Sequence, residues 1–321
     1  MADKGKAVPR TVPPPLPSPA TGSANPASSL QALWPYISPA LDHMFSTPED
    51  DEDAGRAPPI DVGWYSGIHS NVYNYCTAQS ATADALSGAD LYAQLDHYFA
   101  ATARDILLAV PPSDASPPTA LPRFLGPAFA RYAAAARAAG RLLHYIDRHY
   151  VKRAVDEDRG WLRAADAFDG RPPPVGLPRA ELAARLRAHR LTVLRAWGWD
   201  EADTATRALA EAAAEAGSAP GRVIPVHTLA LRRFRTDVVE PLLAVPKAKG
   251  KKGKKKSGAD PRGRLARAVK ALLEPADEEQ ENRLRLAHEM ASMLRLVGVR
   301  PDHPLRKKLD GFVRTRAQAK A

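Results

Sequence analysis

Few residue groupings in this sequence could carry chemistry, and each lacks something its chemistry requires. His288-Glu289 opens the helical motif in which two histidines one turn apart hold zinc, but Ser292 occupies the place of the second histidine. Gly250, Gly253 and Gly258 are spaced by lysines and follow no strand, so they form no phosphate-cradling loop. His144 and His149 stand five residues apart, a spacing that keeps two side chains from sharing one face of a regular α-helix closely. The single cysteine, Cys76, has no evident basic partner in sequence and reads as a buried thiol rather than a nucleophile. Asp156-Glu157-Asp158 sit among Lys152, Arg153 and Arg159, a setting that favours a solvated charge cluster over an acid–base pair. The expectation is a protein that is not an enzyme and takes neither metal nor cofactor.

Composition narrows the remaining classes. A 45% hydrophobic content over 321 residues suffices for a substantial core. One cysteine cannot make an internal disulfide, and no charged-then-apolar leader opens the sequence, so the chain reads as intracellular. No apolar run is long enough to suggest a membrane span. The net charge of +10 invites a nucleic-acid reading, yet most of it comes from Lys247, Lys249, Lys251, Lys252, Lys254, Lys255 and Lys256. The run Lys251, Lys252, Lys254, Lys255 and Lys256 is a candidate nuclear-import, nucleic-acid or acidic-partner segment. No aromatics interleave with it to stack bases, and a flexible basic loop is the preferred reading. Nucleic acid is therefore the alternative rather than the expected partner.

The 30 prolines cluster at 8–26, 111–122 and 171–178 and separate stretches rich in Ala, Leu and Arg, the mark of helices with proline breaks. Residues 1–28 hold almost no large apolar side chains and are expected to be a disordered tail. A helix over Leu30–Phe45 places Leu33, Ile37, Leu41 and Met44 in one stripe. Val62–Ala81 brings Tyr65, Ile68, Val72 and Tyr75 together, and Leu91–Val110 follows with Asp90 as its candidate cap. From Pro127 to Val155 one long helix or two end to end are expected, with Gly140 as the break. Amphipathic stretches at 179–197 and 201–216 lie between Pro/Gly linkers and look inserted, about 160–225. Val226–Leu243 precedes a lysine-rich loop at 246–262. Stripes on Leu265, Val269, Leu272, then Leu286, Met290, Met293, Val297, then Leu305, Leu309, Phe312 complete the chain before a tail at 316–321. No stretch shows the two-residue alternation of a strand, and the fold class expected is all-α.

Three strings, read whole and in order, resemble the cullin family. They are Leu33-Trp34-Pro35-Tyr36-Ile37 through Met44, then Tyr65 through Thr77 with its Val72-Tyr73-Asn74-Tyr75-Cys76-Thr77 ending, then His144 through Arg153 with the acidic exit Asp156-Glu157-Asp158. Leu91–Leu95, Leu229–Arg235 and Arg264–Val313 are softer matches. The resemblance covers about 30–155 and 226–315 and implies one domain over 29–315, a cullin-repeat-like helical bundle carrying an inserted helical segment. It implies a non-catalytic scaffold of a ubiquitin ligase, in cytoplasm and nucleus, that binds a Skp-family or BTB adaptor in ubiquitin-dependent protein catabolism. The residues it assigns to the adaptor are Tyr65, Ser66 and His69 on the second helix, and Arg141 and Tyr145 near the fifth. His69 stands where cullins of the Skp-binding type tend to have tyrosine, and Ser66 where a larger apolar residue is usual. Complete cullins continue into further repeats and a domain that holds the RING subunit, so RING-subunit binding is not expected of this chain. The bland alternative is that these aromatics face the core of a helical bundle.

Overall fold

The computed structural model describes residues 26–46, 55–78, 88–112, 117, 119–245, 263–274 and 280–318. The lysine-rich segment, most of the proline-rich tail and the last three residues lie outside them. Among the described residues the fold is all-α, and its sheet-like pairing is an isolated parallel bridge between Gly160 and Val223.

The first helices follow from their apolar stripes. Leu33, Ile37, Leu41 and Met44 of α1 (Leu30–Phe45) are all buried, although Pro35 and Pro39 lie inside the helix. On α2 (Val62–Ala78) the buried set is Trp64, Ile68, Val72, Tyr75 and Cys76. The sequence expectation put Tyr65 in this stripe. In the structure Trp64 takes that place, and Tyr65 is turned one position round the helix and exposed. α3 (Ala89–Leu108) starts behind Gly88, whose φ of 87° suits glycine. Asp90, expected as the cap, lies instead in the first turn, where its carboxylate accepts the Tyr75 hydroxyl.

α4 (Ala120–Leu142) begins a full turn and more before Pro127, which sits inside it rather than at its start. An interior proline costs about 3 kcal/mol. Burial of Leu121, Leu125, Phe129 and Tyr132 on the same helix outweighs that at roughly 1.5–3 kcal/mol each. Gly140 is likewise not the break. The helix runs through it, and the chain turns at Leu143, with φ −103° and ψ 21°. Gly140 serves close packing instead, since a Cβ there would stand 2.9 Å from His227 Cβ.

Beyond the turn, α5 (His144–Ile146), a π-helical stretch Asp147–Val151 and α6 (Lys152–Asp156) run end to end. The Gly160–Val223 bridge then marks where the intervening segment leaves the body and returns to it. That segment holds α7 (Arg179–Ala196) and α8 (Thr204–Gly217), with Asp203 capping α8 through the Ala205 N–H. α7 buries little beyond Leu194, whereas α8 packs on the body and places Ala216 in the core.

α9 (Val226–Phe234), a second π-helical stretch Arg235–Val239 and α10 (Glu240–Leu243) form the centre, followed by α11 (Arg264–Leu273), α12 (Gln280–Leu296) and α13 (Pro304–Gln318). α9 is held between α3, α4 and α8. Phe234 meets Phe129 edge-on and Tyr132 at a tilt, both on α4 and both with ring centres 5.1 Å away, and the Tyr132 hydroxyl donates to the Ala230 carbonyl at 3.0 Å. Arg233 grips Asp96 of α3 with two guanidinium nitrogens. Arg232, 2% exposed, donates to the carbonyls of Pro220 and Arg222 and to Ser218 Oγ, tying the returning segment to α9. Burial lowers its pKa to about 10, so it stays charged at neutral pH. The stripes expected near the chain end are buried as read except for Phe312, which is only partly buried, and α12 stops at Gly298, where Val299 N–H reaches back to the Leu294 carbonyl at 2.9 Å.

Candidate functional site

α2 and α5 lie against each other, and the one-position rotation of Tyr65 creates a second stripe on α2 beside the buried one. Tyr65, His69 and Tyr73 follow at successive turns, and Tyr145 and His149 do the same on the facing segment. The two stripes interlock. His69 stacks on Tyr65 with ring centres 6.0 Å apart, and lies 4.7 Å from His144 and 4.5 Å from Tyr145. Tyr145 then reaches Tyr73 at 5.0 Å and His149 at 5.7 Å, while the Arg148 guanidinium stands 5.9 Å from the Tyr145 ring centre. Tyr65 and Tyr73 are 38% and 42% exposed, and His69, His144, Tyr145 and His149 are half-buried.

Four of the five expected contact residues are brought together here. Tyr65, His69 and Tyr145 share the ring array, and Arg141, exposed at the end of α4, accepts the Tyr65 hydroxyl on its carbonyl oxygen at 3.1 Å. Ser66 is exposed on the same helix. Beside Tyr65 a groove of about 400 Å³ runs between the Gly55–Ile60 segment and the end of α4, with Arg56, Arg137 and Arg141 along it.

Tyr73, His144, Arg148 and His149 were not among the expected residues. The spacing of 65, 69 and 73 against 145 and 149 was the available signal. His144 and His149, set apart on α-helical geometry, each contact the Tyr145 ring. His149 lies in the π-helical stretch, where Lys152 N–H bonds the Asp147 carbonyl five residues back.

The electrostatics favour a neutral aromatic surface with a basic margin. Burial, helped by His144, holds the His69 pKa below its usual value, and burial with Arg148 and Arg153 does the same for His149. Arg141, Arg148, Lys152 and Arg153 are exposed around it. Behind the array, the Asp147 carboxylate accepts the Val226 N–H at 2.9 Å and fixes this segment to the start of α9. The thiol of Cys76 is buried, and desolvation together with the charge of Asp90 raises its pKa to about 11, which leaves it a poor nucleophile. Among the described residues no group of three or more His, Cys, Asp or Glu could hold a metal, and no helix is long and apolar enough to cross a membrane. What the arrangement can do is offer rigid amphipathic rings to a partner surface.

Set against known proteins, the chain matches no family model, no curated protein and no solved structure.

Proposed function

We propose that this chain is a cullin-like, non-catalytic scaffold that docks a Skp-family or BTB adaptor of a ubiquitin ligase through the face formed by α2 and α5, in cytoplasm and nucleus. One observation carries the reading. The two strings most similar to cullins, some 70 residues apart in sequence, meet in space, and Tyr65, His69, Tyr73 and Tyr145 are left partly exposed there while Tyr75 and Tyr150 go to the core. Tyr65 and Tyr145 are the anchors, His69 bridges them, and Ser66 and Arg141 stand at the edge. Aromatics of this kind bury large area with little rotamer entropy to lose, which is why they dominate interface energetics.

Calorimetric titration of the full chain with a Skp-family adaptor, and separately with a BTB adaptor, tests the proposal. A 1:1 complex is expected with one of them. The Tyr65→Ala, Tyr145→Ala double variant, with its helix content verified, is expected to lose about 2 kcal/mol or more of binding energy. Equal binding by the double variant would refute the placement of the face, and no binding to either adaptor would refute the function.

A further inference from the structure

A second basic site lies away from α2 and α5, on residues that the docking proposal does not use. The link between α7 and α8, together with α8, α12 and α13, encloses a groove of about 510 Å³, within the size range of small-ligand sites. One wall is apolar, with Trp197, Leu209 and Val313 along it. Leu209 is 47% exposed, which leaves its side chain open to the groove. Arg195, Arg295, Arg306 and Arg314 also line it, against a single lining carboxylate, Asp310.

The charge is not balanced internally. Arg306 is 4% exposed, and its Nη1 donates to the Val299 carbonyl at 2.6 Å, while its Nε has no hydrogen-bond partner. The nearest carboxylate oxygen, Asp310 Oδ2, stands at 3.5 Å, and Asp310 is shared with Arg295 at 3.6 Å. Arg195 is paired outside the groove with Glu201. Asp310 is thus divided between two guanidiniums, and a guanidinium offers a planar fork suited to phosphate or carboxylate oxygens. The His288-Glu289 pair that fails as a zinc motif contributes His288, exposed on α12, to the same lining.

We infer that this groove binds a small organic phosphate with an apolar or aromatic body, its anionic head on Arg306 and Arg295 and its body along Trp197, Leu209 and Val313. The head alone would forgo the apolar wall, and the body alone would leave the excess of lining guanidiniums over the Asp310 carboxylate uncompensated.

Calorimetry with 1-naphthyl phosphate, inorganic phosphate and 1-naphthol on the full chain tests it. The expected result is saturable 1:1 binding of 1-naphthyl phosphate, at least tenfold tighter than either of the other two. Arg295→Gln with Arg314→Gln, both on exposed side chains, is expected to weaken it about tenfold or more, whereas Arg179→Gln with Arg187→Gln on the outer part of α7 leaves it unchanged. Leu209→Ala should weaken 1-naphthyl phosphate but not inorganic phosphate. No heat at millimolar 1-naphthyl phosphate, or equal affinity in the groove variant and the α7 variant, overturns the inference. A groove that takes inorganic phosphate as tightly as the naphthyl ester would also overturn it. None of these outcomes depends on whether α2 and α5 dock an adaptor.

Discussion

Replacing Asp147 by asparagine should change how the stability of this protein depends on pH, in a direction and window fixed by the structure. The Asp147 carboxyl is buried against the start of α9 and accepts a single backbone N–H there, and burial raises its pKa from 3.8 to about 7. An acid whose pKa is raised on folding holds its proton better in the native state than in the unfolded chain. Its contribution to stability is therefore present at low pH and is lost as pH rises from about 4 to about 7. At roughly 1.4 kcal/mol per pKa unit the full loss is about 4 kcal/mol. Asparagine keeps an oxygen to accept the Val226 N–H and carries no ionisable proton. Urea unfolding of both proteins by far-ultraviolet circular dichroism should give nearly equal stabilities at pH 4, with the variant gaining steadily to a plateau above pH 7. Histidines held neutral by burial, such as His69, His149 and His227, favour stability in the opposite sense as pH rises, but they are common to both proteins and cancel in the difference. A stability difference flat across this range would refute the reasoning.

Two further outcomes follow from packing and charge. Gly140→Ala gains about 1 kcal/mol in helix propensity yet forces a Cβ to 2.9 Å from His227 Cβ, so chemical denaturation should report a net loss of about 1–2 kcal/mol. Glu215, 7% exposed on α8, has its pKa raised to about 8 by burial and by Glu211, so Glu215→Gln should remove a stability loss that runs from about pH 4.5 to about pH 8, read by the same unfolding titration.

The helices were legible in the sequence because their apolar stripes are long and regular. The buried stripes of α1, α11 and α12 coincide with those read from spacing alone. The misplacements share a cause, which is that spacing does not see what a neighbouring helix does. Pro127 and Gly140 look like breaks to a local reading, but one is overridden by burial along α4 and the other is required by the approach of α9. On α2, Trp64 and Tyr65 are both large and aromatic, and only the packed neighbours decide that the tryptophan faces inward. The two helices of the 160–225 stretch were legible as amphipathic runs between Pro/Gly linkers. That α8 joins the core and that Arg232 is anchored by the returning chain follow from contacts across sequence, which no local pattern encodes.

Hydrogen–deuterium exchange on the full chain, alone and mixed with the Skp-family or BTB adaptor, tests the central claim without altering a residue. Slowed exchange is expected in the adaptor mixture at the amides of α2 and of the segment from α5 through α6, with α7 and α8 unchanged. Slowed exchange confined to other helices, or an unaltered pattern with both adaptors, would contradict it.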